Sequence, residues 1–208
     1  GCGKIAGLYE EKKTKGVFSH AKAIKNNNYF NLKYCVDSKK NHLIKFKKKW
    51  DIKNFYLNLD DIKKEQKIDL IIVCTPTQSH EKVLEKCYKL RPRVILCEKP
   101  LSNDIKIVKK IIKKKPKKTL LFINYQRRLN LRYNDLKEKI RQKSFGELRS
   151  ITAIYNKGLR NNGSHLIDLL FYLLGNIKFV NCGYSVKDYN LNDLNYPFLL
   201  KKNKTSIC

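Results

Sequence analysis

The chain opens on Gly1-Cys2-Gly3-Lys4-Ile5-Ala6, a G-x-G-x-x-A pattern. Glycines at this spacing let a turn of backbone approach a pyrophosphate, with Gly1 and Gly3 leaving room and the amides around Lys4 and Ile5 aimed at its charge. Asp37 is a second candidate, because it closes the β-prone run Leu32-Lys33-Tyr34-Cys35-Val36. A carboxylate there could accept both hydrogen bonds of an adenosine ribose diol, although it lies well beyond the usual distance of about 20 residues from the glycines. The stretch from Tyr9 to Ser19 therefore reads as an insertion. Ser38, Lys39 and Lys40 follow the acid, and a 2′-phosphate could pair with those lysines. The expected cofactor is NAD or NADP, with the acid favouring NAD.

The elements that must position these residues alternate. Ile68-Asp69-Leu70-Ile71-Ile72-Val73-Cys74, Val94-Ile95-Leu96-Cys97 and Thr119-Leu120-Leu121-Phe122-Ile123 are continuous apolar runs, the pattern of strands covered on both faces in a parallel sheet. Helical stretches fall between them, at about His20 to Asn26, Leu59 to Gln66, Ser79 to Leu90 and Asn103 to Lys114. Alternation of this kind predicts an α/β fold, a doubly wound parallel sheet of Rossmann type over residues 1–123. After Asn124 the character changes. A helix from about Arg132 to Gln142, a strand from Leu148 to Tyr155, a Gly- and Asn-rich turn from Gly158 to Gly163 and a helix from Ser164 to Leu174 predict the start of an α+β second domain, 124–208. The tail from Asn181 to Cys208 shows no clear period.

Composition bounds the function. The net charge of +28 would ordinarily raise nucleic acid as a partner, but only eight of the 46 basic residues are Arg, the residue whose planar fork reads phosphates and base edges. Abundant Lys, Asn and Ile with scarce Ala is also what AT-rich codons produce. The basic runs Lys45 to Lys49 and Lys109 to Lys118 read as solvated faces of amphipathic helices, with Ile107, Val108, Ile111 and Ile112 turned inward. Such a field would still attract an anionic substrate. Seven cysteines without a C-x-x-C pair signal neither a zinc site nor a disulfide framework, so no metal is expected and a reduced, cytoplasmic setting fits. No apolar run reaches the roughly 18 residues of a membrane span, so neither nucleic acid nor membrane is expected as a partner.

Three further motifs follow in order: Cys74-Thr75-Pro76-Thr77-Gln78-Ser79-His80, Cys97-Glu98-Lys99-Pro100-Leu101 and Gly163-Ser164-His165-Leu166-Ile167-Asp168-Leu169. With the glycine turn ahead of them, they resemble the Gfo/Idh/MocA oxidoreductases, which carry T-P-x-x-x-H, E-K-P and G-x-H-x-x-D in this order. The resemblance runs from Gly1 to about Val180, and Asn124-Tyr125-Gln126-Arg127-Arg128 is similar to the family's entry into its active-site cleft. It implies a fragment: the first strand of the Rossmann sheet is missing ahead of Gly1, and the second domain stops before the sheet that should close the cleft. The nearest branch by the N-G-S-H motif handles surface-polysaccharide sugars.

What the resemblance implies is a dehydrogenase moving hydride between nicotinamide and a hydroxyl of a sugar or nucleotide sugar, working as a homo-oligomer when full length. Thr75, Pro76 and His80 would line the cofactor, and Glu98 would bond the nicotinamide ribose. Lys99 would lie between cofactor and substrate hydroxyl, where an ammonium stabilises a developing alkoxide, and Pro100 would turn the chain through a cis bond. His165 would exchange the hydroxyl proton, since imidazole titrates near neutral pH, with Asp168 orienting that ring or its helix. Gln126 and Arg127 would contact the sugar. Many members carry Asp four residues before the histidine, whereas this chain has Asn161. An amide can bond a sugar hydroxyl but cannot take its proton, which keeps open a non-catalytic binding or scaffold relative as the alternative.

Overall fold

The computed structural model describes residues 1–9, 16–63, 67–188, 192–202 and 205–207. Parts of the expected insertion and of the expected helix ending at Gln66, and Cys208, lie outside the described residues. The chain divides into two compact units, Gly1–Asn124 and Tyr125–Cys208.

In the first unit β1 (Tyr34–Val36) pairs in parallel with β2 (Asn54–Tyr56) across α2 (Lys40–Trp50). A second ladder holds β3 (Leu70–Val73), β4 (Val94–Cys97) and β5 (Leu120–Ile123), all parallel, in that order. Its register sets Ile71 beside Ile95 and Leu121, and Val73 beside Cys97 and Ile123. Side chains alternate across a pleat, so these six share one face. They pack with Leu84, Cys87 and Tyr88 of α3 (His80–Lys89) and Ile111 of α4 (Ile105–Lys114). Burial pushes the Cys87 thiol up to about 12, consistent with a cysteine used as a small hydrophobe.

Residues Gly1 and Cys2 sit between the two ladders. A Cβ on Gly1 would lie 2.8 Å from the Cys74 carbonyl oxygen at the end of β3, and the Cys2 amide donates to Asp37 Oδ2 at 2.6 Å just beyond β1. The glycine turn thus lies where the strand order reverses, the switch point at which open α/β sheets take their ligands.

The lysine runs behave as solvated faces. Lys110 and Lys114 of α4 pair with Glu81 and Glu85 of α3, each at 2.6 Å. The inward face of α4 is narrower than its pattern predicts. Ile111 is 1% exposed and Ile107 and Val108 are half-buried, but Ile112 is 55% exposed. Four apolar positions span more of the helix than α3 and the sheet can cover.

The second unit packs α5 (Leu131–Arg141) and α6 (Ser164–Leu174) with a four-stranded sheet of order β6-β9-β8-β7. These strands are β6 (Ser150–Ile151), β7 (Lys178–Cys182), β8 (Phe198–Lys202) and β9 (Thr205–Ile207). Leu170 and Leu174 of α6 bury with Ile177, Leu200 and Ile207. The strand expected over Leu148 to Tyr155 is limited to two residues, and the tail without period holds most of the sheet. Its strands escape a period-2 search because β7 is exposed throughout and carries a register shift between Phe179 and Asn181.

Replacing the fully buried Ile95 by Ala should cost about 2–5 kcal/mol, whereas Ile112→Ala should stay within about 0.5 kcal/mol. Urea denaturation of the two variants checks the assignment of the inward face.

Candidate functional site

The first unit gathers its chemistry at the C-terminal ends of β3, β4 and β5. The ladder continues past the strands: Glu98 N–H donates to the Val73 carbonyl at 2.9 Å and Asn124 N–H to the Cys97 carbonyl at 2.8 Å. Cys74, Glu98 and Asn124 therefore leave neighbouring strands at one level, with Thr75 one residue further on. The Glu98 carboxylate accepts from Asn124 Nδ2 at 2.8 Å and meets His20 Nε2 at 2.7 Å. Both members of the His20–Glu98 pair are about 15% exposed, at 15% and 14%. Burial alone would lower the His20 pKa, but bonds to Cys74 and Glu98 outweigh it and raise it to about 10. Burial would likewise raise Glu98, and the bonds from His20 and Asn124 hold it below its ordinary value.

His20 and Asn124 are functional candidates to which the sequence reading assigned no role. The chain has only four histidines, and His20 heads α1 (His20–Lys25) behind Ser19, whose hydroxyl caps the helix through Lys22 N. That setting reads as an ordinary helix start, and nothing local to it points to a glutamate 78 positions away.

His80, expected beside the cofactor, lies in the scaffold between two loops. Its ring is 1% exposed, with Nε2 2.9 Å from the Thr75 carbonyl and Nδ1 3.1 Å and 3.2 Å from the Pro100 and Leu101 carbonyls. Both nitrogens are committed to backbone, so the residue ties the Thr75-Pro76 loop to the Glu98-Lys99-Pro100 loop. The Lys99–Pro100 peptide is cis, and Lys99 is half-buried.

The cofactor residues fit a dinucleotide. Asp37 is held by backbone, Oδ2 by Cys2 N–H at 2.6 Å and Oδ1 by Lys39 N–H at 2.7 Å. An ionised carboxylate has about four acceptor positions, which leaves room for two ribose hydroxyls. The Cβ position of Gly3 is open, with nothing within 4 Å. A cavity of about 520 Å³ beside Gly3 and Lys4 is lined also by Lys45 and Lys49, cations suited to phosphate. Ile5 is exposed on the same turn. Thr75 Oγ1 is buried without a hydrogen-bond partner among the described residues, an orphan that a bound group would satisfy. Among those residues no three of His, Cys, Asp and Glu cluster as metal ligands would.

The second unit holds the remaining candidates. His165, at the start of α6, meets the Tyr125 ring edge-on at 5.7 Å. Gln126 and Arg127 lie in the single 3₁₀ turn Gln126–Leu129, Gln126 exposed and Arg127 half-buried, while Asn161 is exposed in the turn that precedes α6. Asp168, expected to orient the histidine ring or its helix, is engaged on the helix side. Its carboxylate takes a two-pronged bond from Arg128, at 2.7 Å to Nε and 2.5 Å to the terminal nitrogen, and so locks α6 to the 3₁₀ turn.

A parallel ladder with a glycine turn at its switch point and polar groups at its strand ends defines a nucleotide-binding half of Rossmann type. Residues 13–125, more than half of the chain, match the model of the Gfo/Idh/MocA oxidoreductase family with its NAD-binding Rossmann fold, and the chain belongs to that family. Among curated relatives, the myo-inositol 2-dehydrogenase of Thermotoga maritima is 27% identical over 53% of this chain and 33% of its own, and the inositol 2-dehydrogenase of Rhodococcus jostii 31% identical over 39% and 22%. The chain thus spans about a third or less of these relatives. The WlbA dehydrogenase of Bordetella pertussis, solved with NADH and UDP-GlcNAcA, shares the fold at a TM-score of 0.80 and 20% identity, over all of this chain and 64% of its own. No helix among the described residues is long and apolar enough to cross a membrane.

The His20–Glu98 pair makes stability depend on pH. A folded pKa above the ordinary 6.5 means that the His20 contribution is complete below about pH 6.5 and is lost as pH rises through about 10. Glu98, held low, adds stability above its ordinary 4.5 that is lost as pH falls through its folded value. His20→Gln should cost about 1.5–3 kcal/mol near neutrality and flatten the alkaline decline, read as melting temperature between pH 6 and pH 10 at roughly unit steps.

Proposed function

We propose that this chain is the cofactor-binding and catalytic part of an NAD(H)-dependent dehydrogenase acting on a ring hydroxyl or ketone of a sugar or nucleotide sugar. The observation that carries the reading is the set of groups at the ends of β3, β4 and β5, where Glu98 is fixed as a carboxylate by His20 and Asn124 immediately before Lys99. When bound, the nicotinamide supplies the hydride acceptor or donor.

In the oxidative direction the carbinol C–H leaves as hydride and the O–H as a proton, giving a ketone. The Lys99 ammonium stabilises the alkoxide that develops as the proton departs. His165 takes that proton as general base and returns it in the reverse reaction. Asn161, Gln126 and Arg127 bond sugar hydroxyls or a phosphate. Asp37, held by two backbone amides, accepts from the adenosine ribose and disfavours a 2′-phosphate.

A nucleotide sugar is favoured over a free cyclitol by the positive field of the chain and by the likeness in fold to the WlbA dehydrogenase. A place in surface-polysaccharide sugar metabolism is proposed from the resemblance of Asn162-Gly163-Ser164-His165 to the family's N-G-S-H branch.

Calorimetry on the full-length protein should show binding of NADH and weaker binding of NADPH, and incubation with NAD⁺ and UDP-sugars should give the absorbance of the reduced nicotinamide as the sugar is oxidised. Lys99→Ala should lower kcat about 10²–10³-fold and His165→Ala about 10²–10⁴-fold, with NADH binding retained in the latter. Failure to bind either cofactor would sink the reading, and binding without turnover of any sugar would favour the non-catalytic relative.

A further inference from the structure

The turn carrying Asn161 is held by an unusual run of bonds. Five consecutive backbone amides, 157 to 161, each donate to one segment late in the chain. Lys157 N–H reaches Asp188 Oδ2 at 2.7 Å and Gly158 N–H reaches Asn195 Oδ1 at 2.9 Å. Leu159 N–H reaches the Leu194 carbonyl at 3.0 Å, and Arg160 and Asn161 N–H reach the two oxygens of Asp193, each at 3.0 Å.

The turn has no regular partner of its own for these amides, and two of its residues are in left-handed backbone, Lys157 at φ 60° and Gly158 at φ 89°. A non-glycine residue in that region is strained and persists only where its surroundings over-determine it. Here the surroundings are Asp188, Asp193 and Asn195. Consecutive amides converging on one carboxylate form a nest, an arrangement suited to an anion. Gly158 is required on a second count, since a Cβ there would overlap the Asp193 carboxylate.

The segment is braced in turn. Val186 and Asn195 exchange backbone bonds at 2.8 Å and 3.1 Å, and the Tyr155 hydroxyl donates to the Tyr196 carbonyl at 2.8 Å and accepts from its amide at 2.7 Å. On the far side of the turn, the Ser164 hydroxyl lies 2.7 Å from the Arg160 carbonyl and 2.9 Å from the Asn161 carbonyl, one residue before His165. Asp193 is thereby linked through residues 160–161 to the start of α6.

We propose that Asp193 is a positioning residue for the reaction: its carboxylate, with Asp188 and Asn195, sets the turn that presents Asn161 and the first residues of α6 to the sugar. It rests on the function proposed above, and it assigns Asp193 no contact with substrate or proton. The strand side of α6 is anchored separately, by Leu170 and Leu174 in the core. Loss of the clamp should therefore loosen the turn without unfolding the helix.

The test uses the full-length protein and two readouts. In Asp193→Ala, hydrogen exchange of a peptide covering 157–163 should quicken about 10–100-fold, as loss of bonds to a charged acceptor implies, while peptides from α6 and from β3–β5 keep their protection. Its kcat should fall about 10²-fold, the scale of a misplacement of about 1 Å, with the Kd for NADH unchanged. Asp193→Asn keeps one acceptor oxygen and should recover part of both losses. Exchange in the turn as slow as in the parent, or kcat unaltered in an active parent, overturns the proposal. An active parent whose Asp193→Asn variant is as impaired as Asp193→Ala in every region, including β3–β5, also overturns it, because Asp193 would then support the fold at large. A parent that transfers no hydride refutes the proposed function instead, and the exchange experiment still decides the clamp.

Discussion

The in-register parallel ladder of β3, β4 and β5 is the constraint on which the first unit depends. Because Val73, Cys97 and Ile123 are Cα partners, the residues that follow them leave the sheet side by side, and two further backbone bonds carry the ladder to Glu98 and Asn124. A slip of one residue would turn every side chain to the other face of the sheet. It would bury Glu98 against α3 and α4 and aim Cys97 outward. The covered face of Ile71, Val73, Ile95 and Cys97 therefore does more than fill the core, since its preference for apolar surroundings sets the level at which the polar groups emerge.

Once level, the polar groups fix one another. The Glu98 carboxylate draws His20 from α1 and Asn124 from the next strand end, and His80 ties the loops on either side through three carbonyls. Burial penalises each charge alone, and the bonds among them reverse that penalty. The result is a rigid platform in which Thr75 Oγ1 stands out as a buried hydroxyl with no partner among the described residues.

Much of this was legible because it depends on short-range pattern. Continuous runs such as Val94 to Cys97 have few readings other than buried parallel strands, and E-K-P or T-P-x-x-x-H are local strings. Roles set by distance in space were not. His80 looks like a ligand-facing residue until its ring is seen between two loops, Asp168 looks paired with His165 until Arg128 takes both its oxygens, and His20 gains its meaning only from Glu98. The second sheet was illegible for a related reason. Its strands in the 178–207 region are short, one is wholly exposed, and neither alternation nor a continuous run marks them. The amides of 157–161 and the side chains of Asp188, Asp193 and Asn195 are joined by spacing in space, for which sequence periodicity offers no signal.

The bond from Cys2 N–H to Asp37 bears on how such proteins are found. It joins residues 35 positions apart where the usual fingerprint allows far fewer, yet its length is 2.6 Å. Chain inserted between two anchored ends costs little, about 0.6 kcal/mol of closure entropy for each doubling of length, and the anchors here include Trp50 Nε1 bonded to the Gly7 carbonyl at 3.2 Å. The gap between glycines and acid can thus exceed the usual spacing while the contact is kept. A search that fixes that gap would pass over this chain, whereas one that asks which acid ends the strand beside the glycine turn would retrieve it.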